Sequence, residues 1–404
     1  MSPLRKSPSR LSRRARSIAI SPTVAFAQRA QALRGEGRRI LDFSVGEPDQ
    51  PTPARITAAA IAALEAGKTR YAPAAGLPEL REAVSFRYRE TDGADYEGSN
   101  VAVTVGGKQA LYLVAQSLVD GGSEVIVPTP HWATLAETVR LAGGRPVLAR
   151  TREEDGFKVT ARLLTRFVTP KTRAVILNSP CNPTGAMVDA EELLKVARMA
   201  LRLRFTLVLD DTYHRLSFDG GRSPTLSEVN EAAGGELVVV GTASKTYCMT
   251  GWRIGWVLGK RELIDACAAL VSHSTQCPAT FAQVAAVEAL LGPQDVVERL
   301  RGEYLKRRDA VLPPLAKIPG LSCHAPEGGF YFFPNLTRHL SRKVPTTLAL
   351  ATRLLEEQGV ALVPGEGFGA PGYARLSFAR PMEELQEGVS RIASFLEQLS
   401  EAES

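Results

Sequence analysis

The chain has 404 residues, 44% of them apolar, enough for one large core and a smaller companion, and no apolar run approaches the roughly 18 residues that a membrane-crossing helix needs. The net charge of +6 sits at one end, on Arg5, Lys6, Arg10, Arg13, Arg14 and Arg16 with no acid among them. The remaining bases equal the acids in number, so the body offers no broad basic face for nucleic acid.

In chain order, residues 1–17 read as a basic N-terminal arm, because Pro3 and Pro8 interrupt the amphipathic helix that a transit peptide would need. Helical patterns follow at 53–66 and 77–90. From about residue 100 to 260, short β-rich runs alternate with helical stretches: "VAVTV", "EVIVP", "RPVLA", "RAVILN", "TLVLD", "ELVVVG" and "IGWVLG". Runs that are apolar throughout, rather than at every second residue, belong to strands covered on both faces, which predicts a mainly parallel sheet between two layers of helices. Ligands of such sheets bind beyond the carboxyl ends of the strands, where this chain places "NSPCNPTG", "DDTYH" and "TASK". Long helical patterns at 278–291 and 294–316 come next. After them, the short strands "GFYFFP" and "ARLSFA" alternate with helices at 346–358 and 382–399. The predicted fold is α/β: a large domain with a mainly parallel seven-stranded sheet flanked by helices (51–292), plus a smaller α+β domain (18–50 and 293–404). Five cysteines, an odd count without CxxC spacing or clustered histidines, argue against a disulfide framework and a metal site and suggest a reducing cytoplasm.

Four motifs carry polar chemistry, each with an ordinary structural alternative. "TVGGKQALYLV" (104–114) runs from strand through glycines into a helix, so the amides at Gly107 and Lys108 can face an anion. It can equally be a turn that packs a helix on its strand. It is no Walker A loop, since Ala102 stands where that pattern needs glycine and Gln109 where it needs Ser or Thr. In "NSPCNPTG" (178–185), Asn182 can offer its amide to a ligand oxygen or simply help form the turn. "TLVLDDTYH" (206–214) ends a buried strand on Asp210, with Tyr213 three residues on. A buried carboxylate needs a cation or donor, or the backbone amides of a helix cap. In "TASKTYCMTGWRIGW" (242–256), Lys245 follows a buried strand and Arg253 comes eight residues later. A desolvated lysine near its neutral form is a nucleophile toward a carbonyl. Together they offer what pyridoxal phosphate needs: amides and a guanidinium for phosphate, a carboxylate for the ring nitrogen, a donor for the phenolic oxygen and a lysine for the aldehyde.

With "GEPDQPTP", "YAPAAGLPELREA", "TVGGKQAL", "NSPCNPTGA", "LDDTYH", "SKTYCMTGWRIGW" and "ARLSFA" in this order, the chain resembles, from about residue 11 to 399, the class I/II aminotransferases of fold type I, particularly the bacterial aspartate aminotransferase branch. The resemblance implies pyridoxal 5'-phosphate as cofactor. Lys245 would condense with its aldehyde and then carry the proton at the substrate Cα, Asp210 would hold the ring nitrogen's proton, and Tyr213 would donate to the phenolic oxygen beside Asn182. Trp132 would stack on the ring. Gly107, Lys108, Thr242, Arg253 and Tyr71 of a second subunit would hold the phosphate. Arg375 would grip the substrate α-carboxylate, and Gly46 would leave room for it. The implied partners are an L-amino acid and a 2-oxo acid such as 2-oxoglutarate, exchanged by a ping-pong mechanism in a cytoplasmic homodimer that binds neither nucleic acid nor membrane. The same cofactor also serves β-elimination (C–S lyase) and aromatic or broad-specificity transamination. Three positions depart from the family pattern: Thr242 and Cys248 stand where smaller residues are usual, and Ala19 stands where the aspartate and prephenate branch often has lysine.

Overall fold

The computed structural model describes residues 10–18, 22–219 and 224–401. Seven strands form its main sheet: β1 Val101–Thr104, β2 Glu124–Thr129, β3 Arg145–Arg150, β4 Thr172–Asn178, β5 Thr206–Asp210, β6 Leu237–Thr242 and β7 Gly255–Leu258. Their order across the sheet is β1-β7-β6-β5-β4-β2-β3. β7 runs antiparallel to both neighbours and every other pair is parallel, so the sheet is mainly parallel, as expected.

Successive residues of one strand point to opposite faces, and here both faces are dry. Leu207 and Leu209 join one apolar core with Val175, Leu177 and Val239, whereas Val208 joins a second core with Ile176, Val238 and Val240. The first face is covered by helices Ala54–Glu65, Pro78–Asp92 and Thr280–Leu291. The last of these is mostly apolar, and Gln283 is its one buried polar residue. Gln283 is satisfied because it accepts from the Leu77 amide at 2.8 Å and donates to the Pro278 carbonyl at 2.8 Å.

A separate core of aromatic and aliphatic side chains, including Tyr304, Phe330, Phe332, Phe378 and Phe395, surrounds a three-stranded sheet made of β8 Tyr331–Phe332, β9 Val363–Pro364 and β10 Ala374–Ser377. Its order is β9-β10-β8, antiparallel throughout. Helix Met382–Glu401 lays Leu385, Val389, Ile392, Phe395, Leu396 and Leu399 against it, the spacing of a one-sided helical stripe.

Some elements differ from the sequence reading. Helix 77–90 continues to Asp92 and stops at Gly93, whose left-handed φ of 58° suits glycine. The "GFYFFP" strand shrinks to two residues, and the two-residue strands Leu41–Asp42, Val360–Ala361 and Val363–Pro364 are too short to show a period. Helix Pro22–Gly35 has a weak sequence signature: among its described side chains, Phe26, Ala30 and Leu33 mark the buried side.

One carboxylate joins the two sheets. Glu153, just beyond β3, accepts hydrogen bonds from Ser322 Oγ (2.5 Å), Asn335 Nδ2 (2.7 Å) and the Tyr373 hydroxyl (2.9 Å).

Candidate active site

The carboxyl ends of β4, β5 and β6 meet the smaller sheet at an open cavity of about 610 Å³. Parallel register sets Asn178 beside Asp210 and Asp210 beside Val240, so residues distant in sequence reach one edge. Gly46, Gly107, Lys108, Trp132, Asn182, Asp210, Tyr213, Thr242, Lys245, Arg253 and Arg375 all line this cavity. Tyr71 does not; it is 85% exposed on the surface.

At one end lies the N-terminus of helix Gly106–Leu118, with no side-chain cap on its first amides. Gly106 has φ +77°, and a Cβ there would run into the Arg253 guanidinium. A Cβ on Gly255 would lie 2.5 Å from the Gly106 carbonyl carbon and the Gly107 nitrogen, so β7 presses its backbone against the helix start. Arg253, itself at φ 57°, is braced by the carbonyls of Thr250 (2.7 Å) and Val105 (3.3 Å). Helix amides beside a guanidinium without an acid partner among the described residues form an anion cradle. Thr242 borders it, but its hydroxyl is held by the Ile254 carbonyl (2.9 Å), Ser244 Oγ (2.8 Å) and the Ser244 amide (3.1 Å).

Asp210 is 2% exposed, and burial lifts its carboxyl to about 6, against the opposing pull of its bonds to Thr212. Both bonds fall on Oδ1, from the Thr212 hydroxyl (2.6 Å) and amide (3.2 Å). Oδ2 accepts none among the described residues, which leaves it for a cationic N–H. Lys245 Nζ lies 2.5 Å from the Gly46 carbonyl oxygen. Burial lowers its amine to about 8; Arg375, Arg253 and Lys108 push the same way and Glu47 opposes them. A fraction is therefore neutral, and nucleophilic, near physiological pH.

The Tyr213 hydroxyl lies 2.8 Å from that of Tyr331, their rings edge to face at 5.7 Å. Burial holds the Tyr213 phenol well above its ordinary value, so it stays protonated and able to donate. The Asn182 backbone N–H donates to Asn178 Oδ1 at 2.7 Å, which fixes the turn. Arg375 is 2% exposed and makes no ion pair with a carboxylate among the described residues. Its Nη1 donates to Asn182 Oδ1 (3.0 Å) and its Nη2 to the Ser44 carbonyl (2.8 Å), while its Nε is buried without a partner. The guanidinium rests on the rings of Tyr331 (4.4 Å) and Phe368 (5.1 Å). A buried guanidinium kept in place without being neutralised is a receptor for a carboxylate. Lys108 Nζ sits 5.1 Å from the centre of the Trp132 ring.

These groups fit pyridoxal 5'-phosphate: the cradle suits its phosphate, Oδ2 of Asp210 its ring nitrogen, Tyr213 its phenolic oxygen and Lys245 its aldehyde. Reading the sequence missed Ser44, Glu47, Asn178, Thr212, Ser244 and Tyr331, which line the same cavity. Five of these six stand in or beside motifs already quoted: Ser44, Glu47, Thr212 and Ser244 are polar side chains within two residues of a site residue, and Asn178 opens the asparagine turn four residues before Asn182. Tyr331 is the one hydroxyl in an otherwise apolar run. Cys248 occupies a left-handed φ of 54°, and its carbonyl accepts from Thr52 Oγ1 at 2.6 Å. Ala19, where the branch often has lysine, lies outside the described residues.

The family model for aminotransferase class I and II matches residues 38–392. Aspartate aminotransferase of Geobacillus stearothermophilus is 41% identical over 96% of this chain and 99% of its own length. Asparagine–oxo-acid transaminase of Streptococcus mutans is 40% identical over 96% and 99%. Among solved structures, Thermus thermophilus aspartate aminotransferase with maleate superposes with a TM-score of 0.90 at 41% identity, covering 95% of this chain and 99% of that one.

Proposed function

Because the chain belongs to the class I and II aminotransferases, which use pyridoxal 5'-phosphate, we propose that it transfers the amino group of an acidic L-amino acid, aspartate first, to a 2-oxo acid such as 2-oxoglutarate. The observation that carries the acidic choice is that, beyond Arg253 at the phosphate cradle and Lys245 at the aldehyde, two further cations, Arg375 and Lys108, face the cavity without carboxylate partners among the described residues. A dicarboxylic substrate supplies one carboxylate to each. The names of the relatives point the same way.

When bound, the cofactor supplies an aldehyde for the amino group and a ring that withdraws electrons from Cα. The protein does the rest. The cradle of the Gly107 and Lys108 backbone amides and the Arg253 guanidinium anchors the phosphate, which leaves the Lys108 ammonium for the substrate. Oδ2 of Asp210 keeps a proton on the ring nitrogen, and burial of the Asp210 carboxyl makes that pairing exclusive of water. Tyr213 donates to the phenolic oxygen. Arg375 orients the α-carboxylate as a two-pronged fork, which directs the Cα–H toward Lys245. The Lys245 amine, poised by burial near pH 8, accepts that proton and returns it. The exposed Tyr71 completes the cradle from the second subunit of a homodimer, which we place in the cytoplasm. No helix among the described residues is long and apolar enough to cross a membrane.

Protein loaded with cofactor is expected to absorb in the visible, and Lys245→Ala to lose that band together with ~10⁴-fold or more of the rate. Half-reaction conversion across a panel of amino acids tests specificity, with aspartate and glutamate expected to convert fastest. Fastest conversion of alanine or an aromatic acid would overturn the acidic choice, and ammonia release without a 2-oxo acid would favour elimination.

A further inference from the structure

Why should residue 331 be tyrosine? Its neighbours Phe330 and Phe332 fill the same core without a hydroxyl, and Tyr331 is 1% exposed. Burying a hydroxyl costs roughly 1–3 kcal/mol unless a partner meets it, and the Tyr213 hydroxyl is its hydrogen-bond partner. The Tyr331 oxygen also occupies the space that a Cβ at residue 46 would need. The backbone that offers its carbonyl to Lys245 thus packs directly on this phenol.

Two hydroxyls 2.8 Å apart share one hydrogen bond, and whichever donates has no proton left to give elsewhere. If Tyr213 gave its proton to Tyr331, it would have nothing to offer a ligand oxygen in the cavity. We propose that Tyr331 is a positioning residue of this site: its hydroxyl donates to the Tyr213 oxygen and so commits the Tyr213 proton to the cavity, while its ring carries Arg375 without neutralising it. The proposal rests on the reading of Tyr213 as donor to the cofactor's phenolic oxygen. A hydroxyl that accepts one hydrogen bond is polarised to donate another more strongly, by about 10–30%. The ring's face meanwhile attracts the guanidinium at 4.4 Å but leaves its N–H groups available to a carboxylate.

The consequence is spectroscopic. A donor to the phenolic oxygen stabilises the deprotonated form of the bound cofactor, so weakening that donor moves its transition to higher pH. The hydroxyl pair also lies in the field of Arg375, Asp210 and Glu47, with Lys245, Lys108 and Arg253 around the cavity. A change that merely disturbed those charges would act with or without Tyr213.

The test uses the full chain loaded with pyridoxal 5'-phosphate, recording the visible band from pH 5 to 10 for the native sequence, Tyr331→Phe, Tyr213→Phe and the double variant. Tyr331→Phe keeps the ring under Arg375 and removes one oxygen. It is expected to raise the midpoint by about half a pH unit, roughly threefold in proton affinity. Tyr213→Phe should raise it further, and the double variant should match Tyr213→Phe alone. An unshifted midpoint in Tyr331→Phe, or an equal shift with and without Tyr213, overturns the proposal while leaving the cofactor reading intact. A native protein with no visible band after loading overturns both.

Discussion

Two buried titratable groups in the cavity, Asp210 and Lys245, have no ion-pair partner among the described residues, and both make stability depend on pH. The folded chain holds the Asp210 proton at about 6 against 3.8 for the free side chain. Between those values the folded state binds more protons than the unfolded one, so this contribution is complete below about 3.8 and is lost as pH rises through about 6. Lys245 works in the opposite sense, its amine standing at about 8 against 10.5. Its contribution is present above 10.5 and lost as pH falls through about 8. Asp210→Asn retains an acceptor for Thr212 but carries no charge. Without cofactor it is expected to melt higher than the native sequence at pH 7.5, by as much as about 3 kcal/mol, with the gap closing near pH 4 in a thermal unfolding series. Loaded with cofactor, it should lose ~10²-fold or more in kcat, since the group that keeps the ring nitrogen protonated is gone.

At the scale of elements, the phosphate cradle depends on a strand and a helix start brought closer than side chains permit. Gly106→Ala would place a methyl on the Arg253 guanidinium and force an alanine to φ +77°, a strain of order 1–3 kcal/mol. Equilibrium titration should show cofactor affinity reduced about tenfold or more, with the fold intact by circular dichroism. The central strands were readable because each is apolar on both faces, and the site was readable where a strand of that kind ends in a polar turn. Asp210, Thr242 and Lys245 all follow that rule. Tyr331 does not: it lies inside an aromatic run, and only the register β10 to β8, which sets Ser377 opposite Tyr331, brings it near Arg375. The two-residue strands were illegible for a similar reason. Two residues show no period, and the pairing of Leu41 with Val360 joins segments more than 300 residues apart, so nothing local encodes it.

At the scale of the whole molecule, the one expected site residue missing from the cavity is Tyr71, 85% exposed on the single chain, and its proposed role across an interface is open to direct test. Chains bearing Tyr71→Ala and chains bearing Lys245→Ala should each be nearly inactive alone. Unfolded together and refolded as a mixture, they should regain roughly a quarter of native activity, because half the dimers are hybrids and each hybrid has one complete site. A mixture no more active than its components would place Tyr71 outside the site. Glu153 bears on the molecule's mechanics as well. With three segments of the smaller sheet's region fastened to one carboxylate beside β3, sliding of one sheet past the other at that margin would break three hydrogen bonds at once. Removing the anchor with Glu153→Ala is therefore expected to loosen that margin, read as faster amide exchange around Ser322, Asn335 and Tyr373.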